Sequence, residues 1–153
     1  MERKHIDVFI DALTRYFDHL DVSITGEKGT LEIGAPYLLR TNQTIGLDYS
    51  GVISVSGYSS GYIFVTAKSA MLKFILLGHG ESDFGDRFKE DLVGEVANTI
   101  AGNARRQLGS DFHISTPRVL SGALDPSQYA LSSRCYVLPF RWKNNRAELI
   151  VSI

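Results

Sequence analysis

Two long stretches of this chain carry the same succession of signals: a helix with one apolar stripe, an extended segment, then a pair of alternating apolar runs. In the first stretch Ile6, Phe9, Ile10, Leu13, Phe17 and Leu20 recur at helical spacing. Asp21 then opens an extended segment, Val22-Ser23-Ile24-Thr25. In the second, a helix over about 84–108 is closed by Gly109, a residue suited to leaving a helix, and His113-Ile114-Ser115-Thr116 follows as a strand. Each stretch continues into a β-hairpin. The first pairs roughly residues 45–55 with 62–66 through Gly57-Tyr58-Ser59-Ser60-Gly61; the second pairs 134–142 with 147–153 through Lys143-Asn144-Asn145-Arg146. A middle helix over about 68–77 joins them. The expected fold is therefore α+β, a pseudo-twofold arrangement of two helix-strand-hairpin halves with the long helices packed on an antiparallel sheet.

A chain of 153 residues is one domain's worth, and the reading is a single domain over 1–153. Net charge near −1 leaves no electrostatic footprint for nucleic acid or an anionic membrane, so neither is expected as a partner. Charged residues interrupt every apolar run before it reaches spanning length. Met1-Glu2-Arg3-Lys4-His5 leads into an amphipathic helix, not into the apolar core of a signal peptide, so a cytoplasmic location is expected. The one cysteine, Cys135, has no internal disulfide partner and reads as a buried strand residue in Arg134-Cys135-Tyr136-Val137-Leu138.

The long helix of the second half is the most informative segment. Val93, Ala97, Ile100, Ala104 and Leu108 make its apolar stripe. Almost diametrically opposite, Asp91, Glu95, Asn98 and Gly102 fall within a wedge of roughly 60°. Any amphipathic helix has a polar face. Here, however, the face holds an asparagine, whose amide competes for local backbone hydrogen bonds, and a glycine, which costs roughly 0.5–1 kcal/mol relative to alanine inside a helix. Selection for something other than helix stability is the consequence.

The run from Asp91 to Gly102 fits D-x-x-x-E-x-x-N-x-x-x-G, and Asn103-Ala104 and then Phe112-His113-Ile114-Ser115-Thr116-Pro117-Arg118-Val119-Leu120-Ser121-Gly122 follow it. In this the chain resembles the CheX branch of the CheC/CheX/FliY chemotaxis phosphatases. The likeness continues upstream in Asp48-Tyr49-Ser50-Gly51-Val52-Ile53-Ser54-Val55-Ser56-Gly57 and in the helix ending Leu76-Leu77-Gly78, and covers roughly residues 5–153. CheC proteins carry the acid–asparagine motif on both long helices, CheX proteins on one. The first helix here, through Asp7 and Asp11, offers acids but no asparagine, so one site per chain is implied.

The resemblance implies a phosphatase acting on the aspartyl phosphate of a CheY-like response regulator. In that role Asn98 orients the attacking water, since a neutral amide offers donor and acceptor without repelling the phosphoryl oxygens. Glu95 reaches the lysine that response regulators keep beside the phosphate and docks the helix. Asp91 and Gly102 frame the site, Gly102 either by clearance for the partner or by close packing within the fold. The chain would need no cofactor of its own, Mg²⁺ being supplied by the phosphorylated regulator. A homodimer formed edge to edge between sheets is also implied, and the apolar terminal strand Leu149-Ile150-Val151-Ser152-Ile153 would need such cover unless it is paired internally. The alternative is a non-catalytic regulator-binding or scaffold module of the same fold, as the middle domain of FliM is.

Other patterns carry no chemistry. Asp83-Phe84-Gly85 spells the magnesium-binding tripeptide of protein kinases without the remaining kinase signatures. His5, His19, His79 and His113 never stand at metal-ligand spacing, so no metal site is expected.

Overall fold

The structure, a computed structural model, describes residues 3–40, 43–132 and 134–153. Its elements run α1 (Arg3–Ile24), β1 (Leu31–Ile33), β2 (Tyr37–Leu38), β3 (Tyr49–Gly57), β4 (Gly61–Ala67), α2 (Ser69–Gly78), α3 (Asp86–Leu108), β5 (Phe112–Ile114), β6 (Arg118–Ser121), a 3-10 turn (Pro126–Gln128), β7 (Tyr136–Trp142) and β8 (Asn145–Ser152). All strands join one antiparallel sheet in the order β1-β7-β8-β4-β3-β5, with β2 beside β7 and β6 beside β3.

This is the pseudo-twofold α+β fold that the repeat predicts, with one exchange. The short strands after each long helix do not pair with the hairpin of their own half. β1 and β2 cross to β7 of the second hairpin, and β5 and β6 cross to β3 of the first. The two hairpins meet along β4 and β8, from Tyr62 opposite Ser152 to Ala67 opposite Ala147. Neither half can therefore complete its sheet alone.

The central strands are buried along most of their length because both faces of the sheet are covered, and successive side chains alternate between the two faces. Ile53, Val55, Ile63, Val65, Leu149 and Val151 point to the helices, while Val52, Phe64, Val137 and Ile150 point to the other face, where Ile45, Leu124 and Leu131 cover them. The second hairpin turns through Lys143 and Asn144, both at positive φ (52° and 66°), the geometry of a two-residue turn matched to strand twist.

One expectation needs correction, and one of two open alternatives is decided. Val22-Ser23-Ile24-Thr25 is not a strand: α1 runs on through Ile24, and Thr25 still donates its N–H to the Asp21 carbonyl at 2.8 Å. Tertiary contacts override the β-branched sequence there. Ile24 packs on Gly78, where an added Cβ would come within 2.5 Å of it, and the buried Asp21 carboxylate accepts from Thr30 and from the Trp142 indole N–H at 2.8 Å. The apolar terminal strand, in turn, is not an edge. β8 lies between β4 and β7, so its cover is internal, and the sheet's free edges belong to the short crossing strands.

Candidate functional site

The helix that carries the predicted site is held at three levels. At its start the Tyr49 hydroxyl, from the first residue of β3, donates to the Asp86 carboxylate, and this bond, then burial, pushes the Tyr49 phenol up to about 12. At its middle it crosses β3 at Gly51. A Cβ added to Gly51 would lie 2.8 Å from the Ala97 Cβ and from the Val93 carbonyl oxygen, so glycine is what lets helix and strand approach. Gly94 faces Gly51, its Cα 3.3 Å from where the Gly51 Cβ would be, and also admits β6, with Val119 3.0 Å from where its own Cβ would be. At its end Arg105 Nε donates to the Phe112 carbonyl at 2.9 Å, Gln107 Nε2 donates to Asp11 on α1 at 2.6 Å, and Gly109 leaves the helix at φ 107°. Such a helix is a fixed platform.

Val93, Ala97, Ile100 and Ala104 of the predicted stripe are fully buried, and Leu108 is half-buried. On the opposite side Asp91, Glu95 and Asn98 are exposed together on one face, with Gly102 continuing the row. Glu95 and Asn98 stand one turn apart, with about 5–6 Å between Cβ atoms. Among the described residues no ion pair or side-chain hydrogen bond engages Asp91, Glu95 or Asn98; the one bond at this point joins the Thr99 hydroxyl to the Glu95 carbonyl at 2.9 Å. Around Gly102 an added Cβ would meet nothing within 4 Å, so close packing within the fold does not explain that glycine.

Three neighbours of the site escaped the sequence reading. Tyr16 on α1 is half-buried, and burial, then the charge of Glu95, pushes its phenol well above the usual range. Tyr49 and Asp86 are the second and third. Their pairing joins residues far apart in the chain, and no local spacing signals it.

The face is convex. One larger cleft, of about 650 Å³, lies between Leu39, Tyr129 and Cys135; another, beside Asp48 and Lys68, takes in Tyr49 and Asp86. Chemistry on such a surface needs a partner to cover it and exclude bulk water. Among the described residues no three His, Cys, Asp or Glu side chains gather as metal ligands, and no helix is long and apolar enough to cross a membrane. Cys135 is buried, which pushes its thiol up to about 11, so it is no nucleophile.

Comparison with known proteins identifies the fold. Among solved structures, a CheC-like superfamily protein from Shewanella sp. PV-4 is 26% identical, covering 98% of this chain and 97% of that one with a TM-score of 0.77. A chemotactic CheC-like protein from Shewanella oneidensis MR-1 is 25% identical over 99% of both chains, TM-score 0.76. CheX of Borrelia burgdorferi, solved in complex with CheY, BeF₃ and Mg²⁺, shares the fold at 22% identity over 97% and 96% of the two chains, TM-score 0.70. No curated protein matches. The family model described as chemotaxis phosphatase CheX matches residues 49–141, a span that takes in β3, the whole of α3 with its exposed row, and most of β7. On that match, which covers more than half of the sequence, the chain belongs to the chemotaxis phosphatase CheX family.

Proposed function

We propose that this chain is a protein phosphatase that accelerates hydrolysis of the aspartyl phosphate of a CheY-like response regulator, its residues 1–153 acting as one domain. The observation that carries the reading is the pair Glu95 and Asn98, exposed side by side on a helix anchored at both ends and, among the described residues, engaged by no ion pair or side-chain hydrogen bond. An acyl phosphate already hydrolyses when water attacks phosphorus in line. The phosphorus–oxygen bond to the aspartate breaks, the carboxylate leaves, and the proton of the water ends on the released phosphate. What a helper can add is placement. Asn98, with a donor and an acceptor and no charge, holds the water in line and faces the phosphoryl oxygens. Glu95 takes the regulator's lysine in a charge-assisted pair and so fixes the helix over the site. Mg²⁺ arrives bound to the regulator in this reading, and the encounter belongs to the cytoplasm.

The non-catalytic binding module is weaker because docking alone would not call for an amide placed beside the acid. Phosphate release from a phosphorylated CheY-type receiver, with and without the chain, tests the choice. A rate well above spontaneous decay is expected; binding with no acceleration would make the chain a binding module. We carry the homodimer over as a proposal, now resting on the free strands β1 and β2, where Tyr37 and Leu38 are exposed. Light scattering is expected to give twice the 17.0 kDa chain mass, and a monomer at tens of micromolar would remove it.

A further inference from the structure

The exposed row on α3 does not begin at Asp91. Phe88 stands three residues earlier, and the alternating three- and four-residue steps that space Asp91, Glu95, Asn98 and Gly102 carry through it. It lies two turns, about 10.5 Å, from Glu95 along the axis and within about 20° of it around the helix. Phe88 is 38% exposed, and on α3 it is the one large apolar side chain left out among the described residues. Phe84, one turn before, has the opposite fate: it packs against the helix-side core, with Lys73 Nζ 5.4 Å from its ring centroid. Phe88 belongs to neither apolar cluster and meets no aromatic ring among the described residues.

A single exposed apolar residue is ordinary on a protein surface. This one is continuous with an exposed acid and amide that make no ion pair or side-chain hydrogen bond among the described residues, and with a glycine whose surroundings are open. We propose that Phe88 is the apolar anchor by which α3 seats a receiver domain, filling a depression beside its phosphorylation site, and that it sets which receivers are accepted. The inference rests on the phosphatase reading above. Its logic is a division of tasks. Glu95 and Asn98 face a lysine and an aspartyl phosphate, features that all receivers of this type present, so they cannot distinguish one from another. A buried aromatic contact at the rim of that polar centre can, because its strength depends on the shape of the surface it meets.

The test uses the full chain and CheY-type receivers loaded with Mg²⁺ and beryllofluoride. Phe88→Ala is expected to raise Kd about tenfold to a hundredfold, as losing an interface anchor does, while turnover at saturating phosphorylated receiver stays within about twofold. Phe88→Leu should restore most of the binding, and the melting temperature should move little in either variant. Across a panel of receivers the alanine variant should lose the preference that the parent shows. A Kd unchanged on every receiver, or a loss of turnover without a change in KM, overturns the anchor and leaves the phosphatase reading standing. A parent chain that neither binds nor dephosphorylates any receiver ends both.

Discussion

Helices α1 and α3 occupy equivalent places in the pseudo-twofold fold, and the fold uses them in opposite ways. Five buried residues of each correspond: Phe9, Ala12, Leu13, Phe17 and Leu20 on α1 have the spacing of Val93, Val96, Ala97, Ala101 and Ala104 on α3. Their outer rows correspond too, Asp7, Asp11, Thr14 and Asp18 against Asp91, Glu95, Asn98 and Gly102. On α1 two members of that row are engaged. Asp11 accepts from Arg15 Nε at 2.9 Å and from Gln107 Nε2 of α3 at 2.6 Å, and the Thr14 hydroxyl donates to the Ile10 carbonyl at 2.8 Å. On α3 no ion pair or side-chain hydrogen bond engages the row among the described residues. The inner faces differ in the complementary sense, since small residues bring α3 close to Gly51 and large ones hold α1 as the bulk of the core. One helix is built to be stabilised, the other to be fixed in place and left open.

The largest expected effect lies on α1 and is one of stability alone. Asp21 is fully buried and accepts from Thr30 and Trp142, with Lys143 Nζ at 3.5 Å. Asp21→Ala leaves those donors unpaired and should cost about 3–5 kcal/mol in denaturant unfolding at neutral pH, without lowering turnover per folded molecule. Burial alone would raise the Asp21 carboxyl, but the bonds from Thr30 and Trp142, with Lys143, outweigh it and hold the carboxyl below its usual value. A depressed carboxyl adds stability that is complete above its unfolded value, about pH 4, and is lost as pH falls through the lowered one. The stability difference between parent and variant should therefore shrink in acid, and a difference that grows as pH falls would refute this account.

Next in size is chemistry. Asn98→Ala should lower phosphate release at least a hundredfold, about 2.7 kcal/mol of barrier, with binding to a beryllofluoride-loaded receiver retained. Its counterpart Thr14→Ala should leave turnover within about twofold. Equal losses from both variants would dissolve the contrast between the helices. The third effect is docking: Glu95→Ala should weaken receiver binding by about 1–3 kcal/mol, whereas Asp11→Ala should leave it unchanged and cost about 0.5–1.5 kcal/mol of stability through the lost Gln107 contact. Titration and thermal unfolding of both variants check this.

How much of this the sequence discloses follows from the range of each interaction. The α3 stripe is local, set by helical period, and Asp91, Glu95, Asn98 and Gly102 share the face that the period assigns them. Gly109 and the turn at Lys143 and Asn144 are local as well. What sequence reading misses is long-range. The exchange of β1 and β2 onto β7, and of β5 and β6 onto β3, leaves no trace in local pattern because either pairing buries the same residues. The helical end of α1 reads as a strand because Val22 and Ile24 are β-branched, and only the contacts with Gly78, Thr30 and Trp142 reverse that preference. Gly94 and Gly51 acquire meaning only as a facing pair.

The smallest effect sharpens the comparison most, because it carries opposite signs in the two currencies. Gly102 stands inside α3 where a methyl group would meet nothing within 4 Å, while its counterpart on α1 is Asp18. Gly102→Ala removes backbone freedom from the unfolded chain without a clash, so it should stabilise the protein by about 0.5–1 kcal/mol, a rise of roughly 2–4 °C in Tm. If the glycine clears space for a regulator lying against the row, the same methyl group should weaken receiver binding several-fold. Asp18→Ala on α1 should leave binding unchanged. A Gly102→Ala protein that is more stable and binds as well as the parent would show that clearance is not what holds glycine there, and would confine the docking contacts to the turns from Phe88 to Asn98.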